Sequence, residues 1–177
     1  MFTGSAWVRR FATVRRTVSV ESIPVAHTPP GGWSGTFPEP LLSGCTDPII
    51  EDAPDMRGIW RVADVLVEGE PIPGHQMIGA IQRIEQARDR VTITAGGIIH
   101  DMRCDGTEAN GVNDVAEFDK QTPIIVVATF EVGVHVLRPV GLPIEVKRWL
   151  EGDDLKWQYL GFTCRLIRLG STETTPS

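Results

Sequence analysis

Apolar and polar positions alternate with a period of two over most of the stretch 57–169, in short runs closed by Gly, Asp and Asn. That period puts successive side chains on opposite faces of a strand. The first run is 58–67, ended by Glu68-Gly69-Glu70, and the loop Pro71-Ile72-Pro73-Gly74-His75 follows. Residues 77–86 could be read as a helix, but Gly79 and the neighbouring alternation favour a strand. Further strands are expected at 91–94, 98–104, 112–118, 124–131, 134–138, 142–150, 155–160 and 162–169. Turn signals separate them at Gly96-Gly97, Asp105-Gly106, Asn110-Gly111, Val132-Gly133 and Glu151-Gly152-Asp153. About nine or ten short strands in strict succession, without βαβ alternation, predict an all-β fold. Its expected form is an antiparallel up-and-down β-barrel of about 8–10 strands, with a sandwich as the alternative.

The stretch before the strands has a different character. Residues 1–20 carry Arg9, Arg10, Arg15 and Arg16 and no acidic side chain. That composition fits a mitochondrial transit peptide, a disordered basic tail or a misplaced start codon. Residues 21–55 hold Pro24, Pro29-Pro30-Gly31-Gly32, Pro38, Pro40, Pro48 and Pro54. Proline fixes φ and removes an N–H donor, so an extended, irregular strap is expected. Trp33, Phe37, Leu41 and Leu42 are the residues that could dock it on the barrel. The expected division is an N-terminal extension, 1–55, a barrel domain, 56–170, and a disordered tail, 171–177.

Composition narrows the function. A net charge of −6 argues against nucleic acid as a partner, because phosphate binding needs a basic face. There is no apolar run long enough to span a membrane as a helix. Cys45, Cys104 and Cys164 are odd in number and lack CxxC spacing, so no zinc site is expected. Reduced thiols and a cytoplasmic location are the reading, with one Cys104–Cys164 bridge as the alternative.

Gly58-Ile59-Trp60 opens the first strand, and Arg165 and Arg168 lie on the last. A Gly-x-Trp, a strand meander and a late arginine resemble the calycin superfamily: lipocalins, fatty-acid-binding proteins and nitrobindin-like haem barrels. The resemblance implies a barrel with Trp60 across its closed end and Arg165 or Arg168 packed over the indole. The Thr-Asp-Tyr-type motif of lipocalins is absent, and Arg61-Val62-Ala63-Asp64 stands where nitrobindins have a Gly-rich motif.

Chemistry inside such a barrel would come from inward-facing polar residues. Strict alternation puts His100 on the face of Ile98 and Met102, and His135 on the face of Leu137. Asp64 shares parity with Trp60, Val62 and Leu66, and Arg148 with Ile144 and Val146. His100, His135 and Asp64 are therefore the candidate catalytic groups, with Asp101 as a second carboxylate partner and Arg148 as an anion stabiliser. Trp60, His75, Arg148, Met102 and Tyr159 are the candidate ligand contacts, His75 lying at a lid or mouth.

Four functions follow from this reading. The first is carriage of a small, mostly hydrophobic ligand inside the barrel. The second is a small enzyme of isomerase, cyclase, lyase or hydrolase type using a cavity His/Asp pair. The others are an inert interaction module and a haem-binding barrel with an axial histidine. An exposed edge strand could support a homodimer.

Overall fold

The computed structural model describes residues 18–174. The arginine-rich segment, up to residue 17, and residues 175–177 of the tail lie outside the described residues. Among the described residues eleven strands form, and β1 is Gly58–Val67, β2 Glu70–Pro71, β3 Ile81–Ala87, β4 Arg90–Ala95 and β5 Ile98–Arg103. The rest are β6 Val112–Val115, β7 Pro123–Glu131, β8 Val134–Pro139, β9 Val146–Glu151, β10 Asp154–Tyr159 and β11 Phe162–Gly170. Ten of them make one antiparallel sheet in the order β5-β4-β3-β1-β11-β10-β9-β8-β7-β6, and β2 pairs only with β1. First and last strands join through the β1–β11 ladder, so the sheet curls into a nearly closed barrel.

Hairpin geometry explains the meander. Glu68-Gly69, Gly96-Gly97, Val132-Gly133 and Leu160-Gly161 each stand as two-residue loops with positive φ at both positions. That is the primed turn whose twist matches the flanking strands. The expected strand 77–86 is shorter in the structure. Residues 72–80 fold as successive turns, with Ile78 N–H donating to His75 O at 2.9 Å and Ala80 N–H to Met77 O at 3.0 Å. Likewise 140–145 is a loop, and β9 begins only at Val146.

The open seam of the barrel lies between β5 and β6, which share no ladder. His100 Nε2 meets Val115 O across it at 2.9 Å. The strap closes the rest. Ala26 N–H donates to Asp101 Oδ2 on β5 at 2.9 Å, and Thr28 N–H donates to Asp114 Oδ2 on β6 at 2.8 Å. Each proline of the strap removes an N–H donor that a regular ladder would use, yet its carbonyls still need partners. Side chains of β3 and β4 supply them. Arg90 Nη2 donates to Pro24 O at 2.8 Å, Arg83 Nη1 to Pro38 O at 2.5 Å and Gln86 Nε2 to Pro54 O at 3.0 Å. In the other direction, Leu41 and Leu42 N–H donate to Glu85 at 3.1 and 2.8 Å.

Met56 then enters the closed end and accepts through its carbonyl from Trp60 Nε1–H at 2.8 Å. Trp60 is wholly buried, and the Arg168 guanidinium lies 4.2 Å from its ring centroid. Arg168, not Arg165, is thus the arginine over the indole. Gly58 is required beside this pair. Its φ is +147°, and an added Cβ would stand 2.5 Å from Arg168 Nη1 and 2.9 Å from Gly170 O.

Candidate functional site

The lumen wall is apolar along most of its length. Val62, Ile84, Val91, Ile93, Met102, Val126, Leu137, Val146, Leu155 and Leu166 form one cluster on the inner face. A row that includes His135 and Arg148 interrupts it. Phe130, His135, Arg148, Trp157 and Cys164 stand directly opposite one another on β7, β8, β9, β10 and β11. Directly opposed residues share a face and have Cβ atoms about 4.5–5.5 Å apart.

Arg148 is the centre of the row. Its side chain is buried, with the guanidinium carbon 5.0 Å from the Trp157 ring centroid. Arg148 Nε donates to Gln82 Oε1 at 3.3 Å. Gln82 is on β3, with three strands between it and β9 around the wall, so this bond crosses the lumen. Among the described residues Arg148 has no ion pair, and its Nη1 has no hydrogen-bond partner. Burial pulls its pKa down to about 10, against a weaker opposing effect of Glu117. The group therefore stays charged at neutral pH.

Two neighbours share this condition. Trp157 Nε1 and both ring nitrogens of His135 are buried without a partner among the described residues. Burial, then the Arg148 charge, lowers the His135 pKa to about 3, so its imidazole is neutral. Its ring packs against Phe130 at 5.6 Å between centroids.

An aromatic path leads from a loop to this row. The His75 ring lies 4.9 Å from Phe162, Phe162 lies 5.8 Å from Tyr159, and Tyr159 stacks at 5.7 Å on Trp157. His75 is half-buried on the loop between β2 and β3, and its Nδ1 accepts from Met77 N–H at 3.2 Å. Met102 is in the wall and Trp60 plugs the closed end with its N–H satisfied. Arg148 and Tyr159 therefore come together through Trp157, with His75 at the outer end of the path. Trp60 and Met102 line the apolar remainder.

The carboxylates fall elsewhere. Asp64 is not in the lumen, because Ala63 bulges out of the β1–β11 register and reverses parity behind it. Val65 takes the inward position, while Asp64 pairs with Arg165 on the outer face at 2.5 Å. Asp101 also points outward, to Arg90 at 2.6 Å. Neither lumen histidine thus has the carboxylate partner that the His/Asp reading requires. His100 faces inward, but its Nε2 is engaged by the Val115 carbonyl, and burial lowers its pKa. For an axial haem ligand, His135 is the lumen histidine with both ring nitrogens unpartnered among the described residues, while His100 is engaged at Nε2.

Gln82 and Phe162 were not singled out by the sequence, and Cys164 was read only as a thiol. Trp157 was readable, since Leu155, Trp157 and Tyr159 alternate on β10. The long pairing of Gln82 with Arg148 had no local signal. Cys45, Cys104 and Cys164 are all free. Outside the barrel, a groove of about 710 Å³ runs between the strap and β5. Its arginines are already paired: Arg103 with Asp89 at 2.7 Å and Glu21 at 2.8 Å, and Arg90 with Asp101.

No protein-family model matches the chain, and no curated protein matches it by sequence. Among solved structures, human cRBP IV, a retinol-binding protein, has a similar fold. The TM-score is 0.52 at 16% identity, covering 64% of this chain and 98% of that one. The fold is calycin-like. No helix among the described residues is long and apolar enough to cross a membrane.

Proposed function

We propose that this calycin-like barrel binds one small, mostly apolar molecule in its lumen and holds the polar end of that molecule on Arg148. The observation that carries this reading is the buried Arg148 guanidinium without a counter-ion, beside the unpartnered Trp157 N–H. A buried charge is retained at a large cost unless something pairs with it. Two donors aimed along an otherwise apolar wall match the acceptor end of a molecule with a hydrocarbon body. The likeness to a retinol-binding protein supports the same reading at the level of fold.

Binding of decanoate to the purified full chain, followed by tryptophan fluorescence and calorimetry, tests it. Arg148→Leu is expected to weaken decanoate roughly 10- to 100-fold, the worth of a charge-assisted hydrogen bond. Absence of saturable binding to the wild-type chain, or equal binding by both proteins, would overturn the reading. Native mass spectrometry of fresh protein, with an organic extract of the same sample, would identify any ligand retained from the cell.

A further inference from the structure

We infer that His135 makes the lumen site selective for a head group carrying a hydrogen-bond donor beside its acceptor oxygens, of which a 2-hydroxy carboxylate is the simplest. This rests on the reading just given, and adds which polar end the site takes.

Four polar atoms on the inner face lack partners among the described residues: Arg148 Nη1, Trp157 Nε1 and both His135 ring nitrogens. Arg148 and Trp157 can only donate. A neutral imidazole donates from one nitrogen and accepts at the other. The row as a whole therefore offers three donor groups and one acceptor. A plain carboxylate satisfies donors only, and leaves the accepting nitrogen of a fully buried ring unmet. A hydroxyl on the adjacent carbon can donate to that nitrogen while the carboxylate accepts from Arg148 and Trp157. Neighbouring strand positions match the short separation of the two groups in such a head: His135 and Arg148 are direct partners on β8 and β9, and Arg148 and Trp157 on β9 and β10.

Protonation of His135 would be another way to use a plain carboxylate. The surroundings oppose it. Facing groups are Phe130 from β7, Arg148 from β9 and Trp157 from β10, and Arg148 is the charge that acts on the ring. A second cation beside a buried guanidinium is disfavoured. Sites built to hydrogen-bond a hydroxyl discriminate against the analogue that lacks it, because a buried partner is left unpaired.

The test is titration of the full chain with 2-hydroxydecanoate, decanoate and decan-1-ol, in the wild type, His135→Phe and His135→Gln. The wild type is expected to bind 2-hydroxydecanoate about tenfold more tightly than decanoate. His135→Phe should bring the two acids to within about twofold, with decanoate still bound. His135→Gln keeps one donor and one acceptor, so it should retain most of the preference and also controls for folding. Equal affinity of the two acids in the wild type would overturn the inference and leave the lumen reading standing. So would a preference that survives His135→Phe. Uptake of a proton with decanoate, seen as a buffer-dependent binding enthalpy, would also overturn it, because His135 would then act as a cation. Failure of every probe to bind would overturn the lumen reading itself.

Discussion

The Arg148 guanidinium and the Trp157 indole face each other on adjacent strands of the inner wall, 5.0 Å apart. Cation–π contact offsets part of the desolvation of the arginine, but supplies no counter-charge. Replacing even a buried ion pair by apolar side chains of similar volume is often neutral or stabilising by about 1–4 kcal/mol, and an unpaired buried charge has less Coulombic attraction to lose. Arg148→Leu should therefore keep or raise stability in urea while weakening decanoate. A loss above roughly 2 kcal/mol would instead mark the Gln82–Arg148 bridge as a structural tie.

The strap should depend on one ion pair. Arg90 and Asp101 are almost fully buried, with side-chain exposures of 3% and 1%, and meet at 2.6 Å. Arg90 also donates to Val20, Ile23 and Pro24 carbonyls, while Asp101 accepts from Ala26 N–H. Removing one partner of a buried pair typically costs about 3–5 kcal/mol. Asp101→Ala should lose that much in equilibrium denaturation, and its amides near 26–33 should exchange faster with solvent. Unchanged exchange there, with a loss below ~1 kcal/mol, would show that the strap is held by other contacts.

Much of the barrel was legible because each hairpin carries its own turn chemistry. Glu68-Gly69, Gly96-Gly97 and Val132-Gly133 are local signals, and the positive φ at both positions explains why they read correctly. Trp60 and its late arginine were also legible, since each lies at a chain position tied to one end of the barrel. Asp64 was misread for a reason that alternation cannot detect: one extra residue, Ala63, reverses every side chain behind it. His100 and His135 share inward parity, yet one is engaged at the seam and the other is not. That difference depends on the β5–β6 gap, a long-range feature. Pairing of proline carbonyls with Arg83, Gln86 and Arg90 was equally hidden, because the partners are 32 to 66 residues apart.

One hairpin carries a residue at odds with its turn. Val132 has φ +48° and is 98% exposed, so it is a β-branched side chain in the left-handed region with nothing packed on it. Asparagine before Gly133 would relieve the strain and fit the primed turn. Val132→Asn should gain about 1 kcal/mol, raising the melting temperature by roughly 2–4 °C. A lower melting temperature would mean that Val132 makes a contact, in solution, that outweighs its strain.

Acid should destabilise the barrel through His135. Its pKa in the folded protein is lowered to about 3, from an ordinary 6.5, by burial and by Arg148. The unfolded chain therefore binds a proton below pH ~6.5 that the folded chain refuses, so stability is full above that value and falls as the pH drops. A single histidine contributes a slope of about 1.4 kcal/mol per pH unit in this window. His100 shifts in the same direction, and carboxylates add their own terms lower down. Comparison of the wild type with His135→Phe isolates one group. Between pH 6 and 4.5 the stability of the wild type relative to the variant should fall by roughly 2 kcal/mol. The same comparison in an Arg148→Leu background should give a shallower fall, because one of the two causes is gone. Parallel stability curves for wild type and His135→Phe would show that the imidazole is already charged, or reached by water, in the folded barrel.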